Sequence, residues 1–402
     1  MCSSDLPRPV PQFAQVLSME NYVTSTYNAL QMQLRTRVKE KLGRTVTMGR
    51  TANITKAING RQACHYCGPC ERGCVTHSYF DAAFTTVADA LQTGNCTLIT
   101  DAIVRNVDLD SSNKASGVTF IERTTKQTKQ VRGKAVVLCA QAMESTRILL
   151  NSTTRENSQG VGNSSGLLGH YLMDHVVGGG ASGTFDDMNQ LPSANAPHRP
   201  NGVYLVRFRN TPATGKSPNF IRGYGFQGGS IPEFNMSAPG IGADYKKKVK
   251  LGDYAVTLGA FGESLARFDN FCEIDSNLKD AWGIPALRIS MAHGKNEAAL
   301  MRDAGVTAAE MLEAAGAKNI GTTTGVEMPG MAIHEVGTAR MGTDPKKSVL
   351  NAFCQSHDVS NLLVTDGSCF VSSACQNPTL TMMAITVRAC DHLVERFKRN
   401  EV

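Results

Sequence analysis

The sequence predicts an α/β fold that is interrupted by a second unit of α+β type. A chain of 402 residues is long enough for two or three domains of the usual ~150 residues. Strand-like runs followed by a helix come before residue 175, and the same order returns after residue 331. The residues between them contain short irregular strands and many prolines. We therefore expect units at 1–175, 176–330 and 331–402, with the third completing the first.

The composition is that of an ordinary globular protein. Apolar residues make up 41% of the chain and charged residues 19%, which argues against disordered, collagen-like and coiled-coil classes. The net charge of +6 is spread along the chain and aromatic residues are only 6%, so nucleic acid is not expected as a partner. The most apolar stretch, 135–143, is far shorter than the ~20 residues that span a membrane, so no transmembrane segment is expected. Residues 1–13 lack a basic region followed by an apolar one, so no signal peptide is expected.

Hydrophobic periodicity predicts the elements in order. In the first unit it favours helices at 21–42, 79–91 and 143–150, and strands at 97–108, 117–122 and 134–140. The second unit has an amphipathic helix at 296–315. The third unit has a strand at 361–365 and a long helix at 379–398. The order of these elements is that of one domain interrupted by another.

The most informative motif lies in the third unit. It reads His334-Glu-Val-Gly-Thr-Ala-Arg-Met-Gly342, then Asp366-Gly-Ser, then Gln376-Asn-Pro-Thr379 at the start of the last helix. A strand that ends in Asp-Gly and leads to a helix N-terminus offers unpaired backbone N–H groups to the polar groups of a cofactor. Taken singly, the residues have simpler interpretations: Asn377 as a helix N-cap, Pro378 as a first-turn residue, and His334 as a structural histidine.

Taken together, these residues resemble the glucose–methanol–choline (GMC) family of flavoprotein oxidoreductases, and most of all its bacterial gluconate and sugar dehydrogenase branch. Residues 137–152 are similar to the family's strand–turn–helix below FAD, and 166–175 are similar to the start of its substrate domain. His175, at the end of that segment, is interpreted as structural. The resemblance implies an FAD-binding domain interrupted by a substrate domain with a mainly antiparallel sheet. It also implies oxidation of the CH–OH group of a sugar, aldonate or other alcohol.

The resemblance implies a role for each matching residue. His334 matches the histidine that takes the proton from the substrate hydroxyl as hydride leaves the adjacent carbon for flavin N5. An imidazole suits this task because its ordinary pKa of ~6.5 lies near working pH. Asn377 matches a His or Asn that hydrogen-bonds the same hydroxyl. The positions that match FAD contacts are Val104 at the adenine, Ala140 in the turn below the cofactor, and Asp366, Gly367, Pro378 and Thr379 at the flavin.

Two departures from the family pattern stand out. Gln141 occupies a position where relatives usually have glycine, in the turn after Ala140. The Gly-x-Gly-x-x-Gly fingerprint is absent from the N-terminal βαβ unit in which the family has it; the glycine-rich residues 178–183 lie in the wrong place and no helical pattern follows them. The resemblance therefore implies that these residues correspond to the C-terminal two-thirds or so of a GMC enzyme. The alternative to an active enzyme is a truncated, non-catalytic GMC-like protein that serves as an electron-transfer or interaction module.

Four of the twelve cysteines form a cluster within eleven residues, at Cys64, Cys67, Cys70 and Cys74. Their spacing is that of the bacterial ferredoxin run without its proline. In the resembling branch, a [3Fe–4S] cluster is held by three cysteines spaced six and four apart, which Cys64, Cys70 and Cys74 match. The additional Cys67 leaves a [4Fe–4S] cluster open. Zinc and reduced structural thiols are the alternatives for this loop, 64–74.

The resemblance also implies partners and a location. A cluster beside a flavin passes electrons singly to an external carrier, which favours a dehydrogenase over an oxidase. The gluconate dehydrogenase branch implies a cytochrome c subunit and a small subunit as partners. We therefore expect a location in the periplasm, associated with the inner membrane through those subunits.

Overall fold

The computed structural model describes residues 29–49, 51–65, 67, 70, 73–185, 202–232, 239–250 and 254–402. The helices of these residues are α1 (Ala29–Leu42), α2 (Thr86–Gln92), α3 (Ala142–Asn151), α4 (Gly242–Lys250), α5 (Lys295–Ala315) and α6 (Thr379–Lys398), with 3-10 turns at Ala82–Phe84 and Gly367–Cys369. The strands are β1 (Val46–Met48), β2 (Ala102–Leu109), β3 (Ala115–Glu122), β4 (Thr128–Arg132), β5 (Val136–Leu138), β6 (Gly179–Thr184), β7 (Val203–Leu205), β8 (Tyr224–Pro232), β9 (Tyr254–Gly262), β10 (Phe271–Lys279), β11 (Pro285–Ser290), β12 (Lys318–Thr324) and β13 (Leu362–Val364).

The largest sheet has six strands in the order β1-β7-β8-β9-β6-β12, and every neighbouring pair is antiparallel. This confirms the mainly antiparallel sheet expected for the second unit. Helix α5 covers one face, where Phe226 and Leu258 from the sheet join Leu300 and Met301 from the helix in one buried core. The sheet is therefore apolar on the side of α5, which leaves the opposite face for other contacts.

Helix α1 and strand β1 pack with this large sheet. Leu34 and Val38 of α1 and Val46 of β1 are buried in the same core as the α5 residues. The range 1–175, predicted for the first unit, thus includes a strand, β1, that belongs to the large sheet and a helix, α1, that packs against its core. The part of the predicted helix at 21–28 lies outside the described residues.

A smaller core surrounds the parallel pair β5–β13, in which Val137 lies opposite Leu363. Helices α3 and α6 contribute Leu149 and Ala389 to it, and the antiparallel sheet β2-β3-β4 lies alongside. Parallel strands are normally covered on both faces. Val137, however, is 38% exposed, so one side of β5 is open.

Some local predictions were wrong. In place of the helix predicted at 79–91, the chain has a 3-10 turn followed by α2. The side chain of Asp81 accepts a hydrogen bond from the N–H of Ala83 (2.7 Å) and caps the 3-10 turn. Strand β4 was not predicted, because all five of its side chains are exposed and give no alternating apolar pattern. No helix among the described residues is both long and apolar enough to cross a membrane.

Candidate active site

A single buried carboxylate holds the loop that carries His334. Asp174 is fully buried, and its Oδ2 accepts hydrogen bonds from the backbone N–H groups of Gly330 and Ala332, both at 3.1 Å. Its Oδ1 accepts from the N–H of His334 at 3.0 Å and from the N–H of His175 at 2.7 Å. Burial of a charge is tolerated because four donors satisfy it. The backbone position of His334 is thereby fixed.

The ring of His334 is held by a second histidine. Its Nδ1 lies 2.9 Å from Nδ1 of His175, and the two rings are nearly perpendicular, at 87°. Phe261 packs against both rings, with centroids 6.1 Å from His334 and 5.9 Å from His175. Burial lowers the pKa of His334, while Asp174 and Glu335 act in the opposite direction. His334 is therefore neutral at neutral pH and can accept a proton.

Asn377 is held by a residue of the large sheet. Its Oδ1 accepts a hydrogen bond of 2.7 Å from Nε2 of Gln227. The N-cap position of α6 is Pro378, with no side-chain cap, so the interpretation of Asn377 as an N-cap is wrong. Because Gln227 engages the amide oxygen, the Nδ2 group of Asn377 is the end that remains for a ligand.

The sheet register brings the surroundings of His334 and Asn377 together. Gln227 lies opposite Gly259, and Phe261 follows Gly259 by two residues on the same strand. Side chains two apart on a strand share a face, so Gln227 and Phe261 are diagonal neighbours, about 7–8 Å apart at Cα. Gln227 contacts Asn377 and Phe261 contacts His334. The two predicted catalytic side chains therefore meet the same face of β8 and β9, opposite to α5.

Two of the predicted cofactor segments are joined by hydrogen bonds through Asp366. The N–H of Ala140 donates to Oγ of Ser145 at 3.0 Å, and the hydroxyl of Ser145 donates to Oδ2 of Asp366. Oδ1 of Asp366 accepts from the N–H of Ser368 at 2.9 Å. The carboxylate is nearly buried. It therefore orders the turn after β5 and the turn after β13 relative to each other.

Gly367 links the cofactor segment to the His334 loop. Its carbonyl oxygen accepts from the N–H of Gly337 at 2.9 Å, and the pairing continues with Ala339 donating to the oxygen of Ser368. A Cβ at Gly367 would lie 2.8 Å from the carbonyl oxygen of Glu335. The close approach of the two segments thus requires glycine at this position.

Gln141 adopts a left-handed backbone conformation (φ +78°). Its Oε1 accepts from the N–H of Met143 at 2.9 Å, and its Nε2 donates to Glu335 at 3.2 Å. The side chain that replaces the family's glycine therefore caps α3 and reaches the residue next to His334. This shows how the turn accommodates it.

The other predicted cofactor residues lie on two elements. Val104, in β2, is paired with Phe120 and packs against the smaller core. Pro378 is buried and Thr379 is exposed at the start of α6. The first turn of α6 has no acidic residue and no side-chain cap, so its N–H groups remain available to a polar ligand.

Two sulfurs of the cysteine loop lie near the side-chain amide of Asn53. Its Nδ2 lies 3.6 Å from Sγ of Cys70 and 3.9 Å from Sγ of Cys64, while Cys67 is exposed. Burial would raise the pKa of Cys74, but hydrogen bonds from the Ser78 and Thr76 hydroxyls and the Tyr79 N–H outweigh it and lower the pKa to about 6. Across the described residues, no three Cys, His, Asp or Glu side chains are arranged as ligands of one metal ion.

Comparison with known families identifies the class of protein. Two family models, both described as GMC oxidoreductase, match residues 25–177 and 267–386. The chain belongs to the GMC oxidoreductase family, whose members are FAD-binding flavoproteins. The family and the fold class predicted from the sequence are confirmed.

The chain is also similar to individual proteins of this family. The chain is similar to 2-methyl-1,2-propanediol dehydrogenase of Mycolicibacterium austroafricanum, at 31% identity over 86% of this chain and 63% of the relative. It is also similar to the fructose dehydrogenase large subunit of Gluconobacter japonicus, at 24% identity over 90% of this chain and 65% of the relative. The crystal structure of pyridoxine 4-oxidase from Mesorbium loti has the same fold, with a TM-score of 0.53 and 17% identity over 91% of this chain and 70% of that one. The chain spans less than two-thirds of the length of the two curated relatives.

The residues present fit part of an FAD site. The first turn of α6 has N–H groups that a polar group of the cofactor can engage, the turn at Ala140 is exposed, and Asp366 is hydrogen-bonded to Ser145 next to that turn. The open side of β5, with exposed Val137 and Cys139, gives this site an uncovered apolar wall. The residues that would hold FAD are therefore those around 140–141, 366–367 and 378–379.

Three residues that shape the site were not predicted from the sequence. Gln227 carries no motif, since it lies in a strand 150 residues before Asn377. Asp174 and His175 are adjacent in the sequence, but their partners follow about 160 residues later. The only available signal was that adjacent pair in the segment 166–175.

We expect Gly337→Ala to destabilise the protein by more than about 2 kcal/mol. Gly337 has a φ of +91°, and a Cβ there would lie 2.2 Å from the carbonyl oxygen of Tyr171. Left-handed strain and overpacking each cost on the order of 1 kcal/mol or more. The free energy of unfolding in urea measures the effect. Gly325→Ala is the matched control, because nothing lies within 4 Å of its Cβ position; equal stability of the two variants would contradict the expectation.

Proposed function

We propose that this chain carries the catalytic groups of an FAD-dependent dehydrogenase that oxidises the CH–OH group of a sugar, aldonate or other alcohol. The observation that carries the proposal is that a neutral imidazole, His334, and a carboxamide, Asn377, contact diagonal neighbours on one face of β8 and β9. The family membership and the relatives, whose names are those of dehydrogenases of a diol and of fructose, support the same class of reaction.

The two side chains divide the work on one hydroxyl group. Nε2 of His334 accepts the hydroxyl proton, because Nδ1 is already engaged with His175. Nδ2 of Asn377 donates a hydrogen bond to the hydroxyl oxygen, since its own oxygen is engaged with Gln227. FAD, when bound, supplies the acceptor for the hydride that leaves the carbon. The protein thus orients the alcohol and removes its proton.

Two opposing effects act on the protonation of His334, and burial is the larger of them. Burial keeps the free ring neutral, so it is ready to act as a base. The carboxylates of Asp174 and Glu335 stabilise the positive charge that the ring gains. Asp174 is buried, and the interaction between charges is stronger where water is excluded.

We expect His334→Gln to lower the rate of flavin reduction by ~10²–10⁴-fold, as for loss of a general base. The measurement is anaerobic stopped-flow bleaching of the flavin absorbance of the FAD-loaded protein, with gluconate, fructose and 1,2-propanediol as donors. In the wild type, the rate should decrease only when the pH drops below ~6.5. Burial lowers the pKa of His334, so the base stays neutral to a lower pH than a free imidazole.

His392→Gln serves as the control. His392 lies in the C-terminal half of α6, away from Asn377 at the start of that helix, and its ring stacks on Phe353. This variant should leave the rate unchanged. An unaffected His334→Gln variant would remove His334 from the mechanism. Absence of flavin bleaching by every donor would favour the alternative of a non-catalytic electron-transfer or interaction module.

We expect the effects of Gln227→Leu and Asn377→Ala on kcat to be strongly non-additive. If Gln227 acts by holding the amide of Asn377, its loss has little further effect once Asn377 is gone. A double-mutant cycle on kcat measures the coupling, which we expect to be about 1 kcal/mol or more. Fully additive effects would mean that Gln227 has no influence through Asn377.

We also propose that the loop 64–74 binds an iron–sulfur cluster. The spacing of Cys64, Cys70 and Cys74 supports this, as does the Asn53 amide, which is directed at two of the sulfurs. N–H groups directed at sulfur are a common means of tuning such clusters. The sulfurs of the described residues do not form a ready ligand set, so binding a cluster requires them to change position.

We expect anaerobically purified protein to contain four acid-labile sulfides per chain, with three irons for a [3Fe–4S] cluster or four for a [4Fe–4S] cluster. Elemental analysis and electron paramagnetic resonance of the oxidised and reduced protein measure this. Cys70→Ser should remove the iron, whereas Cys96→Ser, at an exposed cysteine outside the loop, should retain it. Zinc in place of iron, or four free thiols with no metal, would refute the proposal.

The partners and the location stay predictions of the same proposal. Relatives that are large subunits, such as that of fructose dehydrogenase, support an assembly with other subunits. We propose a cytochrome c subunit and a small subunit as partners, and a periplasmic location at the inner membrane. An external electron carrier is what the proposed dehydrogenase requires.

A further inference from the structure

His175 is buried directly behind His334. It is only 1% exposed, and the next residue, Val176, exchanges backbone hydrogen bonds with Gly262 at the end of β9. The His175 ring packs edge-on against Phe261, at 90°. Both the backbone and the ring of His175 are therefore fixed relative to the large sheet and to the ring of His334.

The contact between the two imidazoles decides where the protons lie. Their Nδ1 atoms are 2.9 Å apart, so one must donate and the other must accept. If His334 donates through Nδ1–H, its Nε2 has a free lone pair and can accept a proton. If His334 accepts at Nδ1, its Nε2 carries the proton and can only donate. The position of one proton thus separates a base from a non-base.

The surroundings of His175 favour its role as the acceptor. Burial, and then the neighbouring His334 ring, lower the pKa of His175 to about 4, so the ring is neutral at neutral pH. Asp174, and then the backbone at Ser373 and Ala374, act in the opposite direction and raise the pKa of the ring. If His334 acts as the base through Nε2, its Nδ1 carries the proton and donates it, so His175 accepts at its own Nδ1. His175 then carries its proton on Nε2, which is buried and has no hydrogen-bond partner among the described residues.

We propose that His175 is a positioning residue that accepts the Nδ1–H of His334 and so keeps Nε2 of His334 unprotonated towards the substrate. The inference rests on the proposed function of His334 as the base. Asp174 and His175 divide the positioning, since Asp174 holds the backbone of the His334 loop and His175 holds the ring. When His334 takes up the proton, the same hydrogen bond becomes charge-assisted and stronger.

The first test reads the tautomer without any turnover. Long-range ¹H–¹⁵N spectra of the full chain labelled with ¹⁵N-histidine distinguish protonated from unprotonated ring nitrogens, and His334→Gln assigns the signals. In the wild type at pH 7.5, we expect His334 to carry its proton on Nδ1. In His175→Phe, which keeps a ring against Phe261 but has no acceptor, we expect His334 to shift to the Nε2–H tautomer. His175→Asn offers a carbonyl oxygen near the position of Nδ1 and should restore the Nδ1–H form.

The second test is kinetic. We expect His175→Phe to lower kcat by ~10–100-fold, as for loss of the group that orients a functional histidine, with KM changed less than about threefold. His175→Asn should recover most of kcat. A histidine needed only for packing would give the opposite order, because Phe keeps the ring volume better than Asn. Thermal unfolding of both variants checks that they are folded.

The outcomes separate this inference from the proposed function. An Nε2–H tautomer of His334 in the wild type, or an unchanged tautomer in His175→Phe, overturns the positioning role whatever the activity. An active His334→Gln variant overturns the role of His334 as the base, while the spectra still report whether His175 sets its tautomer.

Discussion

The carboxylate of Asp174 is the interaction on which the site depends. Its four backbone donors come from two segments about 160 residues apart, the end of the 166–175 segment and the loop at 330–334. A buried carboxylate is costly unless every lone pair is engaged, so this arrangement is stable only when both segments are in place. The same group then supplies the negative charge that favours a proton on His334. Folding and electrostatics are thus combined in one side chain.

The large sheet contributes to the site through the pairing register of its strands, which decides which side chains face Asn377 and His334. Strands β8 and β9 bury Phe226 and Leu258 against α5, and the alternation of side chains sends Gln227 and Phe261 to the other face. A shift of one residue between these strands would exchange the two faces. The apolar core therefore fixes which polar and aromatic residues meet Asn377 and His334.

Sequence reasoning found the parts of the site that are contiguous. His334, Asp366 and Asn377 stand in short motifs whose chemistry can be interpreted locally, and helix α6 was predicted with its observed bounds. It did not find Gln227, because its contact with Asn377 depends on sheet pairing across 150 residues. His175 was interpreted as structural, because its adjacency to Asp174 gives no sign that both side chains reach the same distant loop. Long-range geometry is what local patterns leave out.

Gly259 gives this face of the sheet a further property. It is an exposed residue of β9 directly opposite Gln227, and a methyl group there would meet nothing nearer than the Gln227 carbonyl oxygen, at 3.8 Å. An alanine therefore fits at this position without moving the strands, and its methyl group takes up space on the face that Gln227 and Phe261 share. Under the proposed function, position 259 is therefore a place where the size of the accepted alcohol can be changed without altering His334 or Asn377.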